Sequence, residues 1–440
     1  MTIFADRDST AASCSPTALS KHPSSKKLFS DCFAGLGGFH VALARLGHTC
    51  VLACELDQNL RHLYQQNFGV VPVGDIRHLN AETVPAHDIF CAGFPCQPFS
   101  LAGKLQGSKC TEYGALIDYA FRIVEVHHPN FVMLENVPNV LTIDNGRFWS
   151  RIERKLSRMG YETAKRIYSP EQFGIPQRRN RLFAVASRVG LAHFRWPEPG
   201  NPKLRPLSAY LMNDGEPVRC IETEKVRALN IWNEFISRVD YLKANTVLAA
   251  EFGATYTFDR DPSSVKNWHQ QKGAFGVSLK DCRTWKDAQV LLPHYATLGK
   301  RGVAEWLKPF IKYSRELHSV DRRFLDKWKL DLIDLPNSWQ KLEWRGDRRF
   351  RDIWKQTIQF RASGIRTMRP DFAPALVAMT PTQTPIIGPL RRYMMAREAA
   401  ALQSLEELSL LPENNERAFR ALGNAVNALI VEKIAAQLIV

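Results

Sequence analysis

A chain of 440 residues has room for one large α/β domain and a second, smaller one, and 45% hydrophobic with 23% charged residues is the balance of a soluble globular protein. No apolar run reaches membrane-spanning length, the polar N-terminus lacks the apolar core of a secretion signal, and nine cysteines without a paired Cys-x-x-Cys framework read as reduced cytosolic thiols, neither disulfides nor a zinc site. The net charge of +15 points to a polyanionic partner, most simply nucleic acid.

Residues 1–25, rich in Ser, Thr, Ala and Pro, predict a disordered lead-in. A strand over Lys27–Phe33 then runs into Ala34-Gly35-Leu36-Gly37-Gly38, followed by a helix over Phe39–Leu46 with Gly47 as its stop. A second strand, Thr49–Cys54, ends at Glu55, about twenty residues past the glycines. This is a βαβ layout for a nucleoside cofactor: glycines admit the backbone and the acid grips ribose hydroxyls. His40 stands where the dinucleotide fingerprint has its third glycine, which makes a nicotinamide dehydrogenase the poorer reading. Gly74-Asp75-Ile76 follows at the next strand end.

The apolar run Asp88–Cys91 reads as a buried parallel strand that delivers Ala92-Gly93-Phe94-Pro95-Cys96-Gln97-Pro98-Phe99-Ser100. Two prolines and a glycine hold the Cys96 thiol on a rigid turn at a strand's carboxyl end, where ligands collect in open α/β sheets. A lone cysteine is usually a buried structural thiol, but Cys91 already fills that role within the strand. Leu101–Thr111 is too polar for core and reads as a mobile lid. A helix over Gly114–His127 and a strand over Asn130–Leu134 then bring Glu135-Asn136-Val137 to the same sheet edge as Gly35, Glu55, Asp75 and Cys96.

An amphipathic helix over Arg147–Met159 and a strand pair around Tyr161–Ile167 lead to Gln177-Arg178-Arg179-Asn180-Arg181 and a strand over Leu182–Ala186. From Ser187 to Arg366 the βαβ rhythm is lost. Pro197, Pro199, Gly200, Pro202 and Pro206 mark a linker, and Trp232, Trp268, Trp285, Trp306, Trp328, Trp339, Trp344 and Trp354 lie among many Lys and Arg, most of them expected in a core. Arg345–Arg351 is the most basic stretch of this interval. Arg397–Gln403 returns to order, and Gly423-Asn424-Ala425-Val426 opens a final helix over Asn427–Leu438.

These segments, in this order, resemble the DNA cytosine-C5 methyltransferases. Pro95-Cys96-Gln97 is similar to the family's catalytic motif, Asp31-x-Phe33-x-Gly35-x-Gly37-Gly38 to its S-adenosylmethionine motif, and Glu55-Leu56-Asp57 and Gly74-Asp75-Ile76 to the two that follow. Glu135-Asn136-Val137 resembles the carboxylate motif, and Gln177-x-Arg179-x-Arg181 the one whose arginines reach the target base and the carboxylate. Arg397–Gln403 resembles the penultimate motif, which packs the recognition domain on the catalytic one, although Met394-Met395 replaces the usual Leu-Thr before it; Gly423–Val426 resembles the last.

The resemblance implies a doubly wound, mostly parallel α/β sheet of the S-adenosylmethionine-dependent methyltransferase type, with a smaller irregular target-recognition domain. The domains it implies are 26–186 for catalysis and cofactor, 187–366 for target recognition, and 367–440 returning to the catalytic domain. Cys96, Glu135, Arg179 and Arg181 are the expected catalytic residues. S-adenosyl-L-methionine, without a metal, is expected against Phe33, Ala34, Gly35, Leu36, Gly38, Glu55, Leu56, Asp75, Ile76, Pro95, Leu116, Asn424 and Val426. The expected substrate is a flipped-out cytosine in double-stranded DNA, acted on by a monomer in the bacterial cytoplasm, associated with the nucleoid. It would protect host DNA from a cognate restriction endonuclease that is not physically bound. The long 187–366 interval disfavours the tRNA-modifying branch, the intact Cys96, Glu135 and Arg179 disfavour an inactive DNA-binding relative, and the lack of a Pro-Pro-aromatic turn disfavours an amino-methylating enzyme.

Overall fold

The computed structural model describes residues 26–95, 110–200, 204–212, 218–239, 242–297, 303–347, 349–376 and 383–439, with backbone alone at 110–115. The expected lead-in, the cysteine turn from Cys96 onward and most of the expected lid lie outside these residues.

The N-terminal part alternates strands and helices: β1 (Leu28–Cys32), α1 (Gly38–Arg45), β2 (Thr49–Cys54), α2 (Gln58–Phe68), β3 (Ile89–Ala92), α3 (Cys110–His127), β4 (Phe131–Asn136), α4 (Arg147–Arg158), β5 (Glu162–Tyr168) and β6 (Arg181–Ser187). They form one sheet in the order β2-β1-β3-β4-β6-β5. The first four strands pair in parallel, while β6 runs antiparallel to both neighbours. Because β6 pairs along its whole length with β4, that strand continues through Glu135 and Asn136, which pair with Phe183 and Leu182, instead of ending at Leu134. The expected strand pair around Tyr161–Ile167 is the single strand β5, whose partner is β6. At the third strand end only a parallel bridge joins Cys54 to Val73.

Both faces of the sheet are covered. Val132, Leu134 and Ala184 pack against Phe121, Ile152 and Leu156 of α3 and α4. On the other face Phe29, Met133 and Val185 share a core with Leu43 of α1 and residues from the chain's far end.

A second sheet is built from β7 (Thr246–Leu248), β8 (Leu342–Arg345), β9 (Thr357–Arg361), β10 (Gly364–Met368), β11 (Ile386–Ile387) and β12 (Arg392–Tyr393), in the order β12-β11-β9-β10-β8-β7. Arg366 falls inside β10, so this sheet continues past the boundary expected from composition. Its apolar face (Leu342, Trp344, Ile358, Phe360, Ile365) packs on Trp232 of α5 (Thr223–Arg238) and Trp328 of α8 (Arg322–Ile333), with α6 (Trp285–Val290) and α7 (Lys308–Val320) also in this part of the chain. Trp232, Trp328, Trp344 and Trp354 are core, while Trp306 is exposed. The indole N–H of Trp232 donates to the Trp339 carbonyl and that of Trp328 to Ile231, which removes the cost of burying them.

The chain then returns to the first sheet through α9 (Ala396–Ala401), α10 (Asn415–Asn424) and α11 (Ala428–Leu438). The side chain of Asn427 caps α11 by accepting from the Ile430 N–H, and α11 packs beside α1. Among the described residues no helix is long and apolar enough to cross a membrane, no group of metal ligands is found, and Cys32, Cys50, Cys54, Cys91, Cys220 and Cys282 are free thiols.

Candidate active site

Parallel register brings the strand ends into line. Cys54, Cys32, Ala92 and Leu134 pair across β2, β1, β3 and β4, so Glu55, Phe33, Gly93 and Glu135 each stand one residue beyond that row. Gly93 confirms the convergence. A β-carbon placed there would lie 3.8 Å from Glu135 Oε2, 3.2 Å from Val426 Cγ2 and 3.8 Å from Phe39 Cε2.

Glu135 is 7% exposed and accepts Arg181 Nε at 3.1 Å on Oε1. Burial pushes its carboxyl above the usual range, and Arg181 and then Arg179 pull it back. The two arginines of the Gln177-x-Arg179-x-Arg181 pattern therefore divide their work. Arg181 holds the carboxylate. Arg179 instead donates from Nη2 to the carbonyls of Gly423 (2.7 Å) and Ala425 (3.0 Å) and from Nη1 to Leu376 (3.3 Å), and burial pulls its pKa down. Its contact with Glu135 is through the field alone.

The turn toward Cys96 is held by a side chain that received no role in the sequence reading. Asn136 Nδ2 donates to the Phe94 carbonyl at 3.1 Å, while its Oδ1 accepts from the Val137 N–H. Only the antiparallel partner β6, which extends β4 to Asn136, sets that side chain against the turn. Pro95 is half-buried beside it. Cys96 itself lies outside the described residues.

The expected cofactor residues gather at the ends of β1 and β2. Phe33 adopts a left-handed φ of 59° and Gly35 one of 55°, folding the loop back so that Gly35 N–H donates to Glu55 Oε2 at 2.9 Å. The other oxygen of Glu55 accepts from the Asp57 N–H. Leu56 is 66% exposed beside it, an apolar surface at a strand's carboxyl end. Asp75 is clamped by Arg77 through Nε and Nη2, which holds its carboxyl down to about 2. Gly38 touches the chain's far end: a β-carbon there would meet the Val426 carbonyl at 2.4 Å. Asn424 is exposed at the close of α10. Ala34, Leu36 and Ile76 are buried in the two cores flanking the sheet, and Leu116 packs partly against one of them. The exposed Leu56, the ionised Asp75 and the acceptor Glu55 form an acceptor and contact set that fits an adenosine moiety.

Further contacts join the parts of the chain. Arg392 and Glu398 form a buried pair at 2.6 and 3.0 Å that links β12 to α9, and Gln403 Nε2 donates to Gln177 Oε1 at 2.6 Å. Arg392 carries no sequence signal of its own, because it is one arginine among many.

Comparison with known proteins identifies the family. The chain is 31% identical over 484 aligned residues to the type II methyltransferase M.AluI of Cellulosimicrobium cellulans, covering 93% of this chain and 91% of that protein. It is 40% identical to M.MspI of Moraxella sp and 39% identical to M.HhaI of Haemophilus parahaemolyticus over 39% of this chain, spanning 41% and 53% of those two proteins. A solved E. coli protein encoded within a prophage shares the fold at a TM-score of 0.52, with 18% identity over 93% of this chain and 98% of that one. The sequence profile for C-5 cytosine-specific DNA methylase matches residues 28–440, and with the aligned strand ends, the Glu135–Arg181 pair and the near-complete alignment to M.AluI, the chain belongs to that family.

Proposed function

We propose that this chain methylates C5 of a flipped-out cytosine in duplex DNA, with S-adenosylmethionine as methyl donor, through an adduct between Cys96 and C6. The observation that carries the reading is a buried carboxylate, Glu135, held by Arg181 and facing the turn that leads from Gly93 to Cys96. Cytosine C5 is a poor nucleophile. Addition of the Cys96 thiolate at C6 makes it enamine-like. A free thiol, of pKa about 8.5, is only a few per cent ionised near neutrality, and the Arg181 and Arg179 charges favour the thiolate.

Glu135 meets the pyrimidine N3 and the exocyclic amine. A carboxyl raised by burial donates a proton to N3 as negative charge develops on the ring. Loss of the C5 proton and expulsion of Cys96 then restore the aromatic base. The donor, held by Glu55, Asp75, Leu56 and Phe33, supplies an electrophilic methyl on a sulfonium. Because a stacked base is out of reach, the cytosine leaves the duplex. Target recognition we assign to the part from residue 187 through the second sheet, whose last strand β12 ends at Tyr393, and chemistry to 26–186 and the helices from Ala396 onward. Protection of host DNA from a restriction endonuclease, by a monomeric cytoplasmic enzyme, completes the reading.

The test uses a duplex with 5-fluorocytosine at the target position. Fluorine leaves no C5 proton to lose, so the enzyme stays bonded to DNA as a complex that survives denaturing electrophoresis and requires the methyl donor. A fluorinated duplex that gives no such complex while ordinary duplex is methylated would remove Cys96 as nucleophile, and fluorinated RNA trapped instead would move the substrate to RNA.

A further inference from the structure

The second sheet has a polar face opposite its tryptophan core. On it one carboxylate gathers three arginines from three strands. Glu343 of β8 accepts Arg345 Nε at 2.6 Å on Oε1, and on Oε2 it accepts Arg366 Nε from β10 at 2.6 Å and Arg361 Nη1 from β9 at 3.3 Å. Register explains the cluster: Glu343 pairs directly with Arg366, Arg345 lies two residues along β8 on the same face, and Arg361 pairs with Gly364, two residues before Arg366.

A single carboxylate cannot balance three guanidiniums, so the cluster keeps an excess of two positive charges. These are not fully solvated: the side chains of Arg366, Arg361 and Glu343 are 25%, 29% and 16% exposed, and Arg345 is 52% exposed. Burial, then the neighbouring Arg366 and Arg345 charges, pull Arg361 below its ordinary value, with Glu343 opposing them. Arg345 and Arg366 are each held through Nε, and among the described residues their Nη groups make no hydrogen bond, which leaves those donors for a ligand. A fixed fork with surplus charge is a receptor for an oxyanion.

Its place in the fold says which oxyanion. The chain leaves β10 at Met368 and within five residues reaches Ala373, whose N–H donates to the Pro176 carbonyl at 2.7 Å, while Ala373 bridges Gln177 in parallel. Five extended residues span at most about 18 Å. The end of β10, and with it the end of the parallel strand β8 that carries Arg345, therefore lies close to the segment that feeds Arg179 and Arg181 into the Glu135 site. At about 3.4 Å per base step on one strand, that span is roughly five steps of duplex.

We propose that Arg345, Arg361 and Arg366, oriented by Glu343, clamp backbone phosphates of the duplex a few base pairs from the flipped cytosine. The assignment rests on the DNA-modifying function above and adds to it the residues that hold the strand. The clamp positions the DNA and reads no base.

The test is equilibrium binding of a labelled duplex of about 30 base pairs to the full chain, without methyl donor, across a salt titration. Arg345→Gln, Arg361→Gln and Arg366→Gln should each lower the slope of log affinity against log salt by about 0.9. They should weaken binding several-fold, by the same factor for duplexes that are and are not methylated by the wild type. Glu343→Gln, which keeps the shape and removes the internal counter-charge, should steepen the slope and tighten non-specific binding. Arginine variants that unfold at the wild-type denaturant concentration yet keep the wild-type slope would overturn the clamp. So would a loss confined to one base position, which would make the arginines base readers. A wild type whose duplex binding responds to these substitutions but which methylates nothing keeps the clamp and removes the function proposed above.

Discussion

The Arg179 guanidinium donates to the carbonyls of Gly423 and Ala425, 244 and 246 residues further along the chain, and so ties the end of α10 and the turn after it to the segment that carries Arg181. With Arg179 removed, these two carbonyls and that of Leu376 lose a charged partner in a buried setting, at a cost of roughly 1–3 kcal/mol for each unsatisfied group. Arg179→Gln is expected to lower unfolding stability by at least about 2 kcal/mol and to weaken cofactor binding, because Val426 follows directly. Urea unfolding of the variant checks this, and an unchanged midpoint would refute the structural role.

Glu135 should show opposite effects on stability and catalysis. Its folded-state pKa is raised above the usual 4.5, so its stabilising protonated form is fully present below the unfolded value and is lost as pH rises through the folded one. Glu135→Gln removes that loss. Relative to wild type, the variant should therefore gain stability as pH climbs from about 4 toward neutrality, while methyl transfer falls by two or more orders of magnitude. Denaturant midpoints at several pH values test the first part; a difference independent of pH would mean the carboxyl is not shifted upward.

Asn136 acts through the backbone of the nucleophile's turn. Asn136→Ala deletes the donor to the Phe94 carbonyl, two residues before Cys96, and a displacement of about 1 Å at a reacting group costs on the order of 100-fold. The expected outcome is a 10- to 100-fold drop in single-turnover methylation with DNA affinity nearly unchanged, and Asn136→Asp should not rescue it because it also lacks the donor. Equal losses in affinity and rate would point to general misfolding instead.

Gly38 is where α1 meets the C-terminal segment. A β-carbon 2.4 Å from the Val426 carbonyl forces backbone to move, a strain of roughly 1–3 kcal/mol. Gly38→Ala should lower stability by that order and weaken S-adenosylmethionine binding at least several-fold, measured by equilibrium dialysis. Wild-type binding and stability would show that the two segments separate freely.

How much of this was written in the sequence follows from how local each feature is. The run Thr49–Cys54 and the glycine loop after β1 are set by nearest-neighbour chemistry, apolar strand residues and backbone freedom, and the structure places both where their pattern puts them. Glu135 and Arg181 were legible as a carboxylate and a cation at strand ends. Which of Arg179 and Arg181 reaches the carboxylate was not. Arg179 lies two residues before β6 and Arg181 is its first residue, and the direction each takes is decided by what packs against it: Glu135 of β4 on one side, the carbonyls of Gly423 and Ala425 on the other. The same holds for Asn136, whose side chain meets Phe94 only because β6 prolongs β4, and for Glu343, whose three arginines are scattered in sequence and share a face only once β8, β10 and β9 are in register. The glycine turns, most strands and the chemical types at the site follow from local residue order. Their partners follow from the fold, because hydrogen bonds and ion pairs depend on distances of a few ångströms between residues that only a folded sheet brings together.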